Sequence, residues 1–339
     1  MTSTEKTLFC ESLAMFMAFG RHQSLAKAAK EFGVSHSSAS RKIRHLEEIL
    51  EADLIVKGKR PYAMTPEARR FYATMQGVSR EIDEALDDLR GKRDAVKALR
   101  IGFIESFTQA AASIISESTE EFTSVLNVTG TTDRLTQLFI DGEIEVLATS
   151  ELPRDIAKLQ FTTFLREPTL AVFPRDVAKN LPRNPTWKNL SFCGIPYILS
   201  YKHSRSGKAL MSFLTTNGIT FHSRIEVDNI GTKLELIERG RGWSLIPLTS
   251  LFQNRGLIAG PMGEKLSFIS SPNPAFNRRL YLAAGTAFNH ATFEKLAQTI
   301  ADYSEREILP WAKVQFPEAA KRLEIFHPKE GSEREDSHS

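Results

Sequence analysis

The chain has 339 residues, 44 Lys/Arg against 41 Asp/Glu for a net charge of +3, and 41% hydrophobic residues. A chain of that length suits two or three domains with ample material for a core, and its composition excludes a collagen-like or intrinsically disordered protein. The two cysteines, Cys10 and Cys193, form no CxxC or Cys/His cluster. This argues against a disulfide framework or a zinc site and suits a reducing cytosol. No apolar run approaches the ~18 residues that span a bilayer, and the apolar stretch from Ser12 to Gly20 continues into a helical pattern without a cleavage site. A cytoplasmic protein with no membrane partner is expected.

Charge is unevenly placed. Arg21 to Arg70 holds eleven Lys/Arg against six Asp/Glu, whereas Glu81 to Arg90 holds five acidic residues and one Arg. A locally basic segment thus stands beside an acidic helix, a marked charge asymmetry.

Residues 7–50 read as three short helices. In the first, Phe9, Leu13, Phe16 and Met17 recur at helical spacing. The second opens at Ser24 as N-cap, turns Ala28, Ala29 and Phe32 inward, and ends at Gly33, which tolerates a left-handed turn. Ser35 caps the third, whose inward stripe is Ala39, Ile43, Leu46 and Leu50. Two helices joined by a tight Gly-containing turn form a helix-turn-helix.

After Leu54-Ile-Val comes a basic, hairpin-like tip, Lys57-Gly-Lys-Arg-Pro61. Thr65 then caps a longer helix with Pro66 and Glu67 in its first turn, where an acid suits the helix dipole. Along it Ala68, Phe71, Met75, Val78, Ile82, Ala85 and Leu89 alternate by three and four residues, the a/d stripe of a helix that pairs with another. A single buried helix gives a similar stripe, but the polar intervening positions favour pairing between subunits through Phe71, Met75, Val78, Ile82 and Leu89.

Gly91-Lys-Arg-Asp reads as a linker. Beyond it, short apolar runs alternate with helical stretches: strands at 99–104, 125–128, 144–148, 170–173, 225–227, 243–246 and 280–284, and helices at 108–120, 133–140, 208–215, 233–238 and 288–309. This is the alternation of parallel α/β sheets. The fold class is therefore α/β overall, with an all-α N-terminal region. The charged segment 317–339 reads as a disordered tail.

The third helix carries the most chemistry. Opposite Ala39, Ile43 and Leu46 it presents His36, Ser37, Ser40, Arg41 and Arg44. Small hydroxyls near the N-terminus allow close approach to a groove, and the helix-start amides favour phosphate. Arg41 and Arg44 can pair with guanine edges or phosphates, while Lys57, Lys59 and Arg60 are placed to grip the flanking backbone. Double-stranded DNA is the expected partner, with Ser35 capping the reading helix. A different class of function, a cytosolic small-molecule-binding protein or enzyme with an N-terminal dimerisation module, leaves the basic face opposite Ile43 unexplained. No phosphate loop, H-E-x-x-H or G-x-S-x-G motif occurs. No enzyme activity, metal or cofactor is expected.

The run Ser24-Leu-Ala-Lys-Ala-Ala-Lys-Glu-Phe-Gly-Val-Ser-His-Ser-Ser-Ala-Ser-Arg-Lys-Ile-Arg-His-Leu-Glu47, followed by Leu54, Lys57 and Met64-Thr65, resembles the winged helix-turn-helix of LysR-type transcriptional regulators. The rest of the chain resembles the family more loosely, through Ile101-Gly-Phe, Leu138-Phe-Ile-Asp-Gly-Glu-Ile-Glu and Glu238-Arg-Gly-Arg-Gly-Trp-Ser-Leu-Ile-Pro247. His36-Ser37 departs from the family's usual Gln-Pro or Gln-Ser, so operator preference does not transfer.

The resemblance implies a winged helix-turn-helix over 1–65, a linker and dimerisation helix over 66–92, and a periplasmic-binding-protein-like effector domain over 97–316. Within the last, one subdomain would comprise 97–165 and 270–316 and the other 166–269. A homodimer or homotetramer would bind DNA under control of a small molecule held between the subdomains. Strand ends and helix starts converge on such clefts, which places Ser106, Thr108, Thr131, Thr149, Ser150, Ser200, His203 and Asn229 there. Hydroxyls at helix starts would suit a carboxylate effector.

Overall fold

The structure, a computed structural model, describes residues 10–56, 58, 62–89, 98–118, 122–153, 156, 159–200, 205–286 and 288–328. It divides into two compact units, Met1–Lys97 with Gln137–Ile144 and Pro153–Lys158, and Ala98–Thr136 with Glu145–Leu152 and Leu159–Ser339. No helix among the described residues is long and apolar enough to cross a membrane.

In the N-terminal unit, α1 (Glu11–His22), α2 (Leu25–Glu31) and α3 (His36–Leu50) are followed by α4 (Pro66–Leu89). Met15, Phe16, Phe19, Leu25, Ala28, Ala29, Ala39, Ile43 and Leu46 form one buried cluster, each larger aliphatic side chain contributing about 1.5–3 kcal/mol of transfer free energy. Gly33 takes a left-handed φ of 62° after α2, which lets the chain reverse into Ser35 without a Cβ clash. Phe32, expected inward, is 39% exposed, because the helix ends at Glu31 and the residue after it leaves the helical stripe. Leu50 is half-buried.

The first turns of α4 belong to this core. Ala68 and Tyr72 are buried and Phe71 and Met75 pack against the cluster, with Phe71 and Tyr72 rings 5.9 and 6.1 Å from Phe16. Gly20 is required here, since a Cβ would lie 2.1 Å from the Tyr72 ring. Further along, Val78 is half-buried, whereas Ile82 and Leu86 stand 41% and 39% exposed. The Leu89 side chain lies outside the described residues.

The second unit alternates strands and helices. It comprises β1 (Ala98–Ile104), α5 (Thr108–Ser118), β2 (Ser124–Gly130), α6 (Thr132–Ile140, which begins in it), β3 (Val146–Thr149), β4 (Leu159–Pro174), α7 (Arg175–Ala178), α8 (Trp187–Ser191), β5 (Tyr197–Leu199), α9 (Arg205–Thr216), β6 (Ser223–Glu226), α10 (Ile230–Glu238), β7 (Ser244–Pro247), α11 (Leu248–Gln253), α12 (Arg255–Ile258), α13 (Pro261–Glu264), β8 (Leu266–Ser270), β9 (Asn277–Gly285), α14 (His290–Tyr303), a π turn (Ser304–Ile308), α15 (Leu309–Gln315), α16 (Pro317–Ala320) and β10 (Glu324–Ile325). The expected mixed α/β architecture is what forms.

The sheets explain how two subdomains arise from one chain. β1 pairs in parallel with β2 and β3, and β9 runs antiparallel between β3 and β4. The first part of β4, from Leu159 to Pro168, pairs with β9, while Thr169 to Pro174 pairs with β7 and β8. A single strand thus hands the chain from one sheet to the other at Pro168/Thr169. In the second subdomain β5 and β6 are parallel, and Phe173, Tyr197, Phe221 and Trp243 stack into its core.

The segment expected to be a disordered tail is folded over its described residues. β10 pairs with β4 at Leu165 and Arg166, Glu324 bonds Arg166 at 3.0 Å, and Phe326 N donates to Phe164 O at 3.0 Å. These elements are only two to four residues long, below the length at which hydrophobic periodicity is visible.

Candidate nucleic-acid interface and effector cleft

The N-terminal candidate site is assembled by caps and a hairpin. Ser35 Oγ accepts from Ser38 N at 3.2 Å and lies 2.9 Å from Ser37 Oγ, so Ser35 is the N-cap of α3. His36, Ser37, Arg41 and Arg44 are exposed and Ser40 is half-buried. Lys42 is tied to Glu11, whereas Arg41 and Arg44 make no ion pair or hydrogen bond among the described residues. His36 stacks on Tyr62, with ring centroids 6.1 Å apart. The face therefore offers hydroxyls at the helix start and uncommitted guanidinium groups one turn on.

The hairpin that follows α3 forms through an antiparallel bridge between Ile55 and Met64 and a Val56 N to Ala63 O bond of 2.8 Å. Glu47, on the inner side of α3, accepts from Leu54 N at 2.7 Å and Ile55 N at 3.1 Å. It anchors the hairpin to the helix, a positioning role not assigned from its sequence. Lys57, Lys59 and Arg60 at the tip lie outside the described residues.

The expected effector residues separate by what holds them. Thr131 caps α6 through Arg134 N at 3.4 Å, and Ser150 Oγ lies 3.1 Å from Thr132 Oγ1; Thr131 and Ser150 are thus brought to the same helix start. Thr108 Oγ1 donates to Glu105 O and Asn229 accepts from Thr232 N, both at 3.0 Å, as local caps. Thr149 is fully buried and closed on Glu151. His203 lies outside the described residues. The N-terminus of α9 meets the strand ends of the first subdomain, Arg205 pairing with Asp133 at 3.3 Å and with Glu151 at 3.9 Å.

Ser106 is held by an arginine. Its Oγ accepts from Arg278, 2.8 Å away, and Arg278 pairs with the fully buried Glu167 at 2.6 Å. Thr249 completes the cluster, donating to Glu167 from its backbone at 2.7 Å and its hydroxyl at 3.1 Å. Glu167 and Arg278 are register partners on β4 and β9, one residue from the handover between sheets. A buried carboxylate persists only with such satisfaction.

Ser200, which follows β5, accepts from Lys233 Nζ at 2.6 Å. Lys233, on α10, is 1% exposed, and burial pulls its ammonium down to about 8 from 10.5, against a smaller upward pull from Asp228. It was not singled out from the sequence. Its signal is its phase, since Lys233, Leu234 and Ile237 share the buried side of the helix. Half-buried Cys193 donates to Ile195 O at 3.6 Å, and burial raises its thiol, away from the thiolate a redox centre uses.

Residues 10–69 match the bacterial regulatory helix-turn-helix protein, lysR family, and residues 92–294 match the LysR substrate binding domain. Similar proteins include the transcriptional regulator BenM of Acinetobacter baylyi, 33% identical over 94 residues, 28% of this chain and 31% of that protein. The RuBisCO operon transcriptional regulator of Allochromatium vinosum is 20% identical over 243 residues, covering 70% and 79% of the two chains. Full-length OxyR from Pseudomonas aeruginosa shares the fold with a TM-score of 0.63 at 16% identity, over 97% of this chain and 99% of that one. The relatives are regulators, which sets aside the enzyme alternative. The chain belongs to the LysR family of transcriptional regulators, joining a DNA-binding helix-turn-helix to a two-subdomain, periplasmic-binding-protein-like domain for a small-molecule effector.

Proposed function

We propose that α3 is the recognition helix of this regulator, with Ser35, His36, Ser37, Ser40, Arg41 and Arg44 in the major groove and Lys57, Lys59 and Arg60 on the flanking phosphates. The observation that carries this is the contrast on one helix: Lys42 is spent on Glu11, while Arg41 and Arg44 stand exposed and unpaired among the described residues. Residues 1–65 act as the reading head, 66–92 as linker and 97–316 as the effector domain. A protein that must reach operator DNA works in the cytoplasm.

The linker joins two copies. Phe71 and Met75 are partly committed to their own core, so the seam rests on Val78, Ile82 and Leu89, with exposed Leu86 beside them. Paired heads would reach successive major grooves about 34–36 Å apart. Of the candidate effector residues, we assign Thr131, Ser150, Ser200 and Asn229 to the cleft, with Ser106, Thr108 and Thr149 at its margins; His203 lies outside the described residues.

The test is genome-wide capture of bound DNA, then gel shifts on the captured operator. Arg41→Ala and Arg44→Ala should each weaken binding by about 1–3 kcal/mol without changing the unfolding midpoint, and wild-type affinity should fall steeply with salt. Undiminished binding by both variants would reject the assignment.

A further inference from the structure

The second unit holds two cations with opposite surroundings, half-buried Arg278 and fully buried Lys233. Arg278 is neutralised by Glu167 and further bonded to Ser106 and Thr249. Lys233 is 1% exposed, yet no carboxylate lies within ion-pair distance of it among the described residues, and its one hydrogen-bond partner there is the Ser200 hydroxyl. A buried ammonium is ordinarily retained only when paired.

The hydrogen-bond direction is informative. An ammonium has donors only, so Ser200 Oγ accepts from it, which leaves the Ser200 O–H to donate elsewhere. No acceptor for that proton occurs among the described residues, and Ser200 is half-buried. Among the described residues, the chain of donors from Lys233 through Ser200 therefore ends in a charge-assisted hydroxyl donor. Its position is the C-terminal edge of a parallel strand pair: Ser200 follows β5, Asn229 follows β6, and Val227 N bonds Leu199 O at 2.9 Å between them. Ligands of open α/β sheets bind outside such edges.

We propose that Ser200 and Lys233 form the anchor for a carboxylate on the effector, Ser200 donating to the carboxylate oxygen while Lys233 behind it supplies the balancing charge. This rests on the effector-cleft reading above and adds to it the charge-bearing residue and the hydroxyl through which it acts. One ammonium and one free hydroxyl match a monoanion; a phosphate or sulfate dianion would leave charge and acceptors unmet. Asp228, the charged neighbour that acts on Lys233, is exposed and already hydrated, so it does not fill the role.

The experiment measures the unfolding midpoint of the full chain during titration with formate, acetate, benzoate and succinate at constant ionic strength. The corresponding amides, sulfate and phosphate serve as controls, and wild type, Lys233→Met and Ser200→Ala are compared. At least one carboxylate should raise the wild-type midpoint saturably while its amide does not. Lys233→Met should weaken that response about tenfold or more, and Ser200→Ala by several-fold. Ser200→Ala keeps the test open should Lys233→Met fail to fold. A wild type that responds to no carboxylate, amides as effective as acids, sulfate or phosphate acting instead, or variants with the full wild-type response would each overturn the proposal. Operator affinity measured on the same samples separates the failures: intact operator binding with no carboxylate response removes the anchor alone, whereas loss of operator binding by wild type removes the regulator reading beneath it.

Discussion

In the N-terminal unit the informative cations stand in solvent: Arg41 and Arg44 are exposed on α3 and uncommitted among the described residues. In the second unit they are withdrawn from solvent, half-buried Arg278 locked to Glu167 at the strand crossing and fully buried Lys233 bonded to Ser200. The difference follows from what each unit meets. DNA is a large, hydrated polyanion that releases counterions when phosphates are neutralised, so exposed and adjustable charge serves it. A small molecule is enclosed, so the charge that meets it must be held at a fixed position in a medium of low effective dielectric.

The contrast can be broken first at the buried pair. Arg278→Met leaves Glu167 charged, fully buried and unpaired, and should cost about 3–5 kcal/mol in the denaturant unfolding of the second unit. Replacing both residues by Met should recover much of that loss. A double variant as unstable as Arg278→Met alone would show that the pair does not act as a unit. On the other side, Leu46→Ala removes a fully buried side chain of the N-terminal core and should destabilise that unit by about 2–5 kcal/mol. Operator binding should fall in parallel, because α3 is held in place by Ala39, Ile43 and Leu46.

Smaller effects are expected at the helix cap and at the buried lysine. Ser35→Ala removes the N-cap of α3 and should cost about 1 kcal/mol of stability, read as a lower thermal midpoint with circular dichroism otherwise unchanged. The buried lysine gives a pH signature of defined sign. Its folded pKa lies near 8 and its ordinary value at 10.5, so between these values the unfolded chain binds the extra proton. The burial penalty is therefore full below pH 8 and is relieved as pH rises toward 10.5. The midpoint difference between Lys233→Met and wild type should narrow over that window, and a difference that stays constant would place the ammonium in water.

Much of the reading head was legible in the sequence because its determinants are local. Ser24 and Ser35 cap helices that start beside them, Gly33 turns where a left-handed residue is needed, and Ala39, Ile43 and Leu46 recur at the helical period. Phe32 misled, since spacing alone does not show that the helix has already ended. The second unit was legible as alternating strands and helices, but its polar sites were not. Glu167 and Arg278 are separated by 111 positions, and only sheet pairing brings them together. Ser106, a candidate effector residue, accepts from Arg278, a partner no local pattern announces. Lys233 was hidden by its type, because a lysine in a short helix is ordinarily a surface residue.

Whether α3 reads DNA is decided by a structure of the full-length protein bound to its captured operator. In that complex α3 is expected in the major groove, with Ser37, Ser40, Arg41 and Arg44 at base edges or phosphates. A complex in which that face points away from the duplex, or packs against protein, would contradict it.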